Sequence, residues 1–169
     1  MEAFYLSAAL VALAEIGDKT QLLSLLLAAR YGKPWPIIAG ILVATVANHA
    51  AAGALGAWVT RALSPELLRW VLAASFLAMA AWILVPDRLE DDAAPRRTPH
   101  WGVFGITVLA FFMAEMGDKT QVATVVLAAQ HGAQLAGYVA VVAGTTLGMM
   151  AANVPVVLMG ERLMGWLQR

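Results

Sequence analysis

Two octets in the sequence concentrate side chains that could hold a cation. Residues 14–21 read AEIGDKTQ and residues 114–121 read AEMGDKTQ, so that seven of eight positions are identical. Each octet places a glutamate, an aspartate and a lysine inside an otherwise apolar stretch. Carboxylate oxygens are ligands of hard divalent cations, and a carboxylate can also take up a proton. The octets therefore predict a site for a metal ion, for protons, or for each in turn.

The acidic residues of both octets are expected deep in the bilayer, because each octet lies mid-way along an apolar segment. A carboxylate at that depth costs at least about 2.5 to 3.5 kcal/mol and is retained with a partner or a function. In a continuous helix, the i,i+3 spacing of glutamate and aspartate puts each acidic pair on one face. We predict four metal ligands, which are Glu15, Asp18, Glu115 and Asp118.

Other polar side chains beside these acids are predicted to support the site: Lys19, Thr20, Gln21, Lys119, Thr120, Gln121 and Asn48. Four acidic residues and two lysines leave a formal charge of minus two in the octets. That charge suits one divalent cation, or two bound protons after the ion has left, because clustered carboxylates repel one another when ionised. The lysines either neutralise the acids when no ion is bound or extend away from them.

The composition restricts both the class of protein and the choice of ion. Of 169 residues, 61% are hydrophobic and 13% are charged, and the mean hydropathy is +0.73, which predicts a protein embedded in a lipid bilayer. The net charge of zero gives no indication of nucleic-acid binding. Without cysteine, a site must use oxygen or imidazole. Oxygen ligands favour Ca²⁺, Mn²⁺ or Mg²⁺, and Mg²⁺ loses its water reluctantly. No resident cofactor is expected.

Five apolar segments are long enough to cross a bilayer, which requires about 20 residues. They cover residues 4–29, 36–59, 67–85, 102–129 and 133–159, separated by turn residues and by one polar stretch. The fold class is therefore an all-α polytopic membrane protein.

The two octets predict an inverted repeat of three-helix units. They lie on the first and fourth segments, three spans apart, so the two copies cross the membrane in opposite directions. Inverted repeats of this kind are common in secondary transporters, whose site lies near the midplane between the repeats. We predict a first repeat over residues 1–86, a cytoplasmic polar linker over 87–100 and a second repeat over 101–169. The sixth span that symmetry requires is not found, and we expect a shortened chain in preference to a five-span protein.

The basic residues predict the orientation of the chain. Arg61 and Arg69 lie on the side of the N-terminus. Seven basic residues lie on the opposite side: Arg30, Lys33, Arg88, Arg96, Arg97, Arg162 and Arg169. The positive-inside rule then places the central linker in the cytoplasm and the N-terminus outside.

The doubled octet resembles the Glu-x-Gly-Asp-(Lys/Arg)-(Thr/Ser) signature of the cation/proton exchangers that include the Golgi transmembrane protein 165 and its bacterial and yeast relatives. The resemblance extends over nearly the whole chain. It implies transport of Ca²⁺ or Mn²⁺ against protons, with bacterial members similar to manganese exporters. It also implies a metal site at Glu15, Asp18, Glu115 and Asp118. On this basis we predict a secondary transporter that exports a divalent cation, preferably Mn²⁺, in exchange for protons.

Three alternatives remain at this stage. The Gly-Asp pairs in the octets are superficially similar to the signature of intramembrane aspartyl proteases, although a glutamate stands where that signature has glycine. The acids could instead form inert ion pairs in a structural protein, with Glu15 bonded to Lys19 one turn away. An exporter of another small substrate is the third alternative. The sequence allows a homo-oligomer and does not decide the oligomeric state.

Overall fold

The computed structural model describes residues 1–83 and 102–167, with side chains described up to residue 82 and from 102 to 160. The predicted polar linker, residues 87–100, lies outside the described residues. Helices make up nearly all of the described chain, so the fold is all-α, as predicted. Their bounds are α1 Glu2–Glu15, α2 Lys19–Tyr31, α3 Pro34–Ala62, α4 Pro65–Ile83, α5 Gly102–Glu115, α6 Lys119–His131 and α7 Leu135–Leu167.

The prediction of continuous first and fourth segments is wrong. Each of these segments is two helices joined at the octet, α1 with α2 and α5 with α6. The cause is local, because Gly17 and Gly117 adopt φ angles of 78° and 79°. This left-handed conformation favours glycine and cannot continue a right-handed helix. The acidic pairs therefore do not lie one turn apart on a continuous helix face.

The remaining predicted segments match single helices with slightly different ends. The segment 36–59 corresponds to α3, which begins at Pro34 because proline is well suited to the first turn of a helix. The segment 67–85 corresponds to α4, and 133–159 corresponds to α7, which continues to Leu167 with Pro155 inside it.

Each pair of broken helices packs mainly against the long helix of the other half. The first pair, α1 and α2, contacts α7, and the second pair, α5 and α6, contacts α3. Glycines make these contacts close, because a Cβ added at Gly40 would lie 2.7 Å from the Cβ of Thr107 on α5. A Cβ at Gly148 of α7 would lie 2.9 Å from the backbone nitrogen of Ala12 on α1. Small residues thus allow the backbones of the two halves to approach.

The distribution of polarity is consistent with a helical membrane protein. Many large apolar side chains are exposed, including Leu13, Trp35 and Leu77, while polar side chains are buried between the helices. Among the described residues, Pro34–Ala62 and Leu135–Gly160 are long and apolar enough to cross a membrane. The helices α1, α2, α5 and α6 are shorter, since each has only 13 or 14 residues.

Candidate metal site at the paired helix breaks

The backbone of each octet turns away from the helix and then begins a second one. Glu15 is the last residue of α1, and Asp18 is the extended N-cap residue of α2, with φ −76° and ψ 162°. The amide of Gly17 donates to Oε1 of Gln21 at 2.8 Å. Gly117 and Gln121 make the same bond at the same distance. Both glutamines, predicted to support the ion, therefore place their side-chain oxygen on the backbone of the break.

Three of the four predicted acidic ligands lie close together. One carboxylate oxygen from each of Glu15, Glu115 and Asp118 lies within 4.8 Å of the others, and all three residues are buried. We refer to these residues as the carboxylate cluster. The cluster joins both octets, although they are about 100 residues apart in the chain. A hard cation could be held between such oxygens.

Threonine hydroxyls orient the two glutamates. Thr20 Oγ1 donates to Glu15 Oε2 at 2.5 Å, and Thr120 Oγ1 donates to Glu115 Oε2 at 2.8 Å. The other oxygen of each glutamate, Oε1, is buried and has no hydrogen-bond partner among the described residues. A buried acceptor without a partner is costly, so these two oxygens are suited to a metal ion or a proton.

The lysines form ion pairs between the octets. Lys19 Nζ lies 2.8 Å from Asp118 Oδ1, and Lys119 Nζ lies 3.7 Å from Asp18 Oδ1. We refer to these as the crossed ion pairs. One alternative from the sequence was an inert ion pair between Glu15 and Lys19. The structure does not show this pair, because the short contact of Lys19 is with Asp118 of the opposite octet. Asp18 lies outside the carboxylate cluster and contacts Lys119.

Two asparagines have different roles at the site. Asn48 of α3, a predicted supporting residue, donates to the carbonyl oxygen of Phe112 at 3.1 Å and so connects α3 with α5. Asn153 of α7 was not among the predicted site residues, yet its Nδ2 donates to Glu15 Oε2 at 3.4 Å. Its Oδ1 accepts a bond from Ser24 at 2.7 Å. The sequence feature that could have indicated Asn153 as a site residue is a polar amide in the middle of an otherwise apolar helix.

An apolar cavity of about 460 Å³ lies between α3 and α7, away from the octets. Its walls include Val46, Val142 and Leu147, and none of its lining residues is charged. This cavity therefore has no carboxylate that could bind a divalent cation. The carboxylate cluster remains the candidate site.

Comparison with known proteins agrees with the resemblance based on the octets. The family model described as "Divalent cation/proton antiporter GDT1" matches residues 3–91 and 103–169. A Vibrio cholerae serotype O1 protein named "Putative manganese exporter" is 57% identical over 162 residues, covering 95% of this chain and 78% of the relative. A "GDT1-like protein" of Synechocystis is 27% identical over 184 residues, covering 98% of this chain and 86% of that protein. No solved structure matches the chain.

The family match covers nearly the whole chain and includes both octets. It confirms the family predicted from the sequence, supports cation transport and indicates a membrane location. The protease alternative does not agree with it, because the matched family consists of transporters. The chain belongs to the divalent cation/proton antiporter GDT1 family, which is a family of transporters and not of enzymes.

Proposed function

We propose that this protein exports a divalent cation, preferably Mn²⁺, in exchange for protons, and that the ion binds at the carboxylate cluster. The observation that carries the proposal is the meeting of Glu15, Glu115 and Asp118, with ligand oxygens within 4.8 Å of one another. These residues come from two helix breaks far apart in sequence. Acidic side chains at membrane depth are rare and mark ion or proton pathways.

The charges around the site fit this exchange. In the crossed ion pairs, Lys19 and Lys119 compensate the two aspartates. The two glutamates then carry the remaining formal charge of minus two. One divalent cation neutralises this charge, and two protons neutralise it when the cation has left. The unpartnered Oε1 atoms of the glutamates are available to either.

The ligand chemistry limits the substrate to hard cations. Carboxylate oxygens suit Mn²⁺ and Ca²⁺, whereas Mg²⁺ dehydrates reluctantly. The preference for Mn²⁺ rests on the Vibrio relative, which is 57% identical and carries a manganese exporter name. Ca²⁺ is the second candidate substrate.

For the membrane arrangement, we propose an inverted repeat of three-helix units, of which this sequence contains five spans. In this arrangement α1 with α2 forms one interrupted span, α5 with α6 forms another, and α3, α4 and α7 each form one. Packing of each interrupted span against the long helix of the other half supports the proposal. Interrupted helices at the midplane are typical of transporters in which two repeats move against each other. We propose the bacterial inner membrane as the location, with the N-terminus outside and residues 87–100 in the cytoplasm.

Transport by everted membrane vesicles tests this function. Vesicles containing the wild-type protein should take up ⁵⁴Mn²⁺ when a proton gradient, acidic inside, is imposed. The Glu115→Gln variant should take up ⁵⁴Mn²⁺ at least about 10- to 100-fold more slowly at low Mn²⁺, because removing a ligand should cost no less than removing a partner that orients one. Glu66→Gln is the matched control, since Glu66 lies exposed at the start of α4 and should leave the flux unchanged.

Two results would contradict the proposal. The first is a wild-type protein, shown to be present in the vesicles, that takes up neither Mn²⁺ nor Ca²⁺ under a proton gradient. The second is a Glu115→Gln variant with the wild-type flux at every Mn²⁺ concentration.

A further inference from the structure

His49 of α3 is a buried residue with chemistry that the proposed ion site has not yet used. Its side chain is 0% exposed. Neither Nδ1 nor Nε2 has a hydrogen-bond partner in the described part of the chain. Buried polar atoms are nearly always partnered, and an unpartnered one costs about 1 to 3 kcal/mol. The burial of the His49 imidazole without a hydrogen-bond partner therefore requires an explanation.

The packing of α3 and α7 shows which residue of α7 corresponds to His49. Gly40 of α3 lies against Thr107 of α5, and Gly144 of α7 lies against Ser7 of α1. The octets, and also Ser7 and Thr107, are related by an offset of 100 positions, whereas Gly40 and Gly144 are 104 apart.

A second pair of contacts gives the same offset. Gly56 of α3 lies against Ala128 of α6, and Gly160 of α7 lies against Ala28 of α2. Ala28 and Ala128 again differ by 100, and Gly56 and Gly160 differ by 104. An offset of 104 between α3 and α7 therefore holds on both sides of the helix breaks.

This offset makes His49 the counterpart of Asn153. Asn153 faces the first octet, where it donates to Glu15. The offset therefore predicts that position 49 lies on the side of α3 toward the second octet. The neighbouring side chain agrees, because Asn48 bonds to the carbonyl of Phe112, three residues before Glu115.

We propose that His49 determines ion specificity by supplying an imidazole nitrogen to the transported metal, which favours Mn²⁺ over Ca²⁺. Ca²⁺ and Mg²⁺ take oxygen ligands, whereas imidazole is a common ligand of transition metals. A site built from carboxylates alone accepts Ca²⁺ as well as Mn²⁺. One nitrogen ligand adds affinity for the transition metal without adding affinity for Ca²⁺.

This inference rests on the proposed transport function and adds a conformational change to it. His49 does not belong to the group of three carboxylates whose ligand atoms lie within 4.8 Å of one another. The proposal therefore requires a conformation of the transport cycle in which the imidazole and these carboxylates meet. The glycine contacts already hold α3 close to both α5 and α6, on the two sides of this break.

Bound Mn²⁺ itself can report the ligand. The full-length protein is purified, loaded with Mn²⁺ alone and examined by electron spin-echo envelope modulation, which detects nitrogen bonded to the metal. We expect nitrogen modulation in the wild type and its loss in His49→Asn, which introduces the amide found at the equivalent position. His131→Asn is the matched control, because His131 Nε2 is also buried without a partner but lies at the end of α6.

Ion competition gives the second measurement. Ca²⁺ should compete with ⁵⁴Mn²⁺ uptake about tenfold more effectively in His49→Asn than in the wild type, as expected when a metal interaction is lost. Thermal unfolding of His49→Asn and of a second variant, His49→Gln, checks that the fold is retained. Wild-type protein that binds Mn²⁺ without nitrogen modulation, or an unchanged modulation in both variants, would overturn this inference alone. Wild-type protein that binds no Mn²⁺ would overturn the proposed function together with it.

Discussion

The two octets are almost identical in sequence, yet the helices packed against them give their glutamates different surroundings. Glu15 accepts a bond from Asn153 of α7, which is itself held by Ser24. At the second octet, Thr124 stands in place of Ser24 and donates instead to its own helix backbone, at Thr120. The surroundings of an acidic residue thus depend on the opposite half of the protein as much as on its own octet.

The two lysines also differ, in this case in the exposure of their side chains. The side chain of Lys19 is 24% exposed, whereas that of Lys119 is 6% exposed. Lys19 of the first octet therefore lies nearer to the protein surface, whereas Lys119 of the second octet is covered by neighbouring residues. Under the proposed inverted repeat, in which the two halves would exchange roles during transport, such a difference between equivalent residues is expected in any single conformation.

The largest effect should come from breaking the buried member of the crossed ion pairs. Lys119→Met leaves the carboxylate of Asp18 buried without its compensating charge, and we expect a loss of about 3 kcal/mol in unfolding free energy. Lys19→Met should cost less, because its side chain is more exposed. Thermal and denaturant unfolding in detergent measures both.

A double-mutant cycle identifies the partner of Lys119. Combining Lys119→Met with Asp18→Asn should recover about 1 to 3 kcal/mol relative to the sum of the single changes. The control cycle uses Asp118→Asn, within the octet of Lys119. Stronger coupling in the control cycle would mean that the pairs form within each octet and are not crossed.

An intermediate effect is expected at the glycine contacts between the halves. A Cβ at Gly56 would lie 2.9 Å from the backbone nitrogen of Ala129 and against the carbonyl oxygen of Val125. Gly56→Ala should therefore destabilise the protein by about 2 to 3 kcal/mol. Gly160→Ala is the matched change, and it should cost less, about 1 kcal/mol, because its two nearest atoms are side-chain atoms, Ala28 Cβ at 2.9 Å and Leu25 Cδ1 at 3.1 Å. Equal losses in unfolding midpoint would show that the two contacts are equally rigid.

The smallest effect should come from His49, and its sign should be opposite to that of its counterpart. His49→Leu removes two unpartnered nitrogens, so we expect a gain of up to about 1 kcal/mol in stability. Asn153→Leu removes the partner of Glu15 and Ser24 and should lose about 1 to 3 kcal/mol. Both are measured by thermal unfolding without added metal. A stability loss in His49→Leu as large as that in Asn153→Leu would indicate that the imidazole has a structural partner.

The sequence was sufficient to predict the family and the all-α class. Apolar segments of sufficient length predict helices from composition alone, and two copies of one octet predict a shared site. Three of the four predicted ligands do lie together, while their role as metal ligands stays a prediction. Gln21 and Gln121 were predicted to support the site, and their side-chain oxygens accept from the backbone amides of Gly17 and Gly117.

The breaks at Gly17 and Gly117 were missed because each octet lies inside one long apolar segment, which was interpreted as a single continuous helix. A local signal was present, since glycine followed by aspartate is a typical junction between two helices, with aspartate as the N-cap of the second. The contacts of Asn153 and the crossed ion pairs could not be predicted. They depend on how α7 and α3 pack across the two halves, and a spacing rule within one octet contains no information about that packing.

The bond from the glycine amide to the glutamine at the end of the octet has a wider consequence. It satisfies a donor that the left-handed turn removes from the helix ladder. The same eight residues therefore contain both the glycine that breaks the helix and the acidic side chains that lie at the break. We therefore expect that the acids alone, placed in an apolar helix without the glycine and the glutamine, would not reproduce the bend that brings them together.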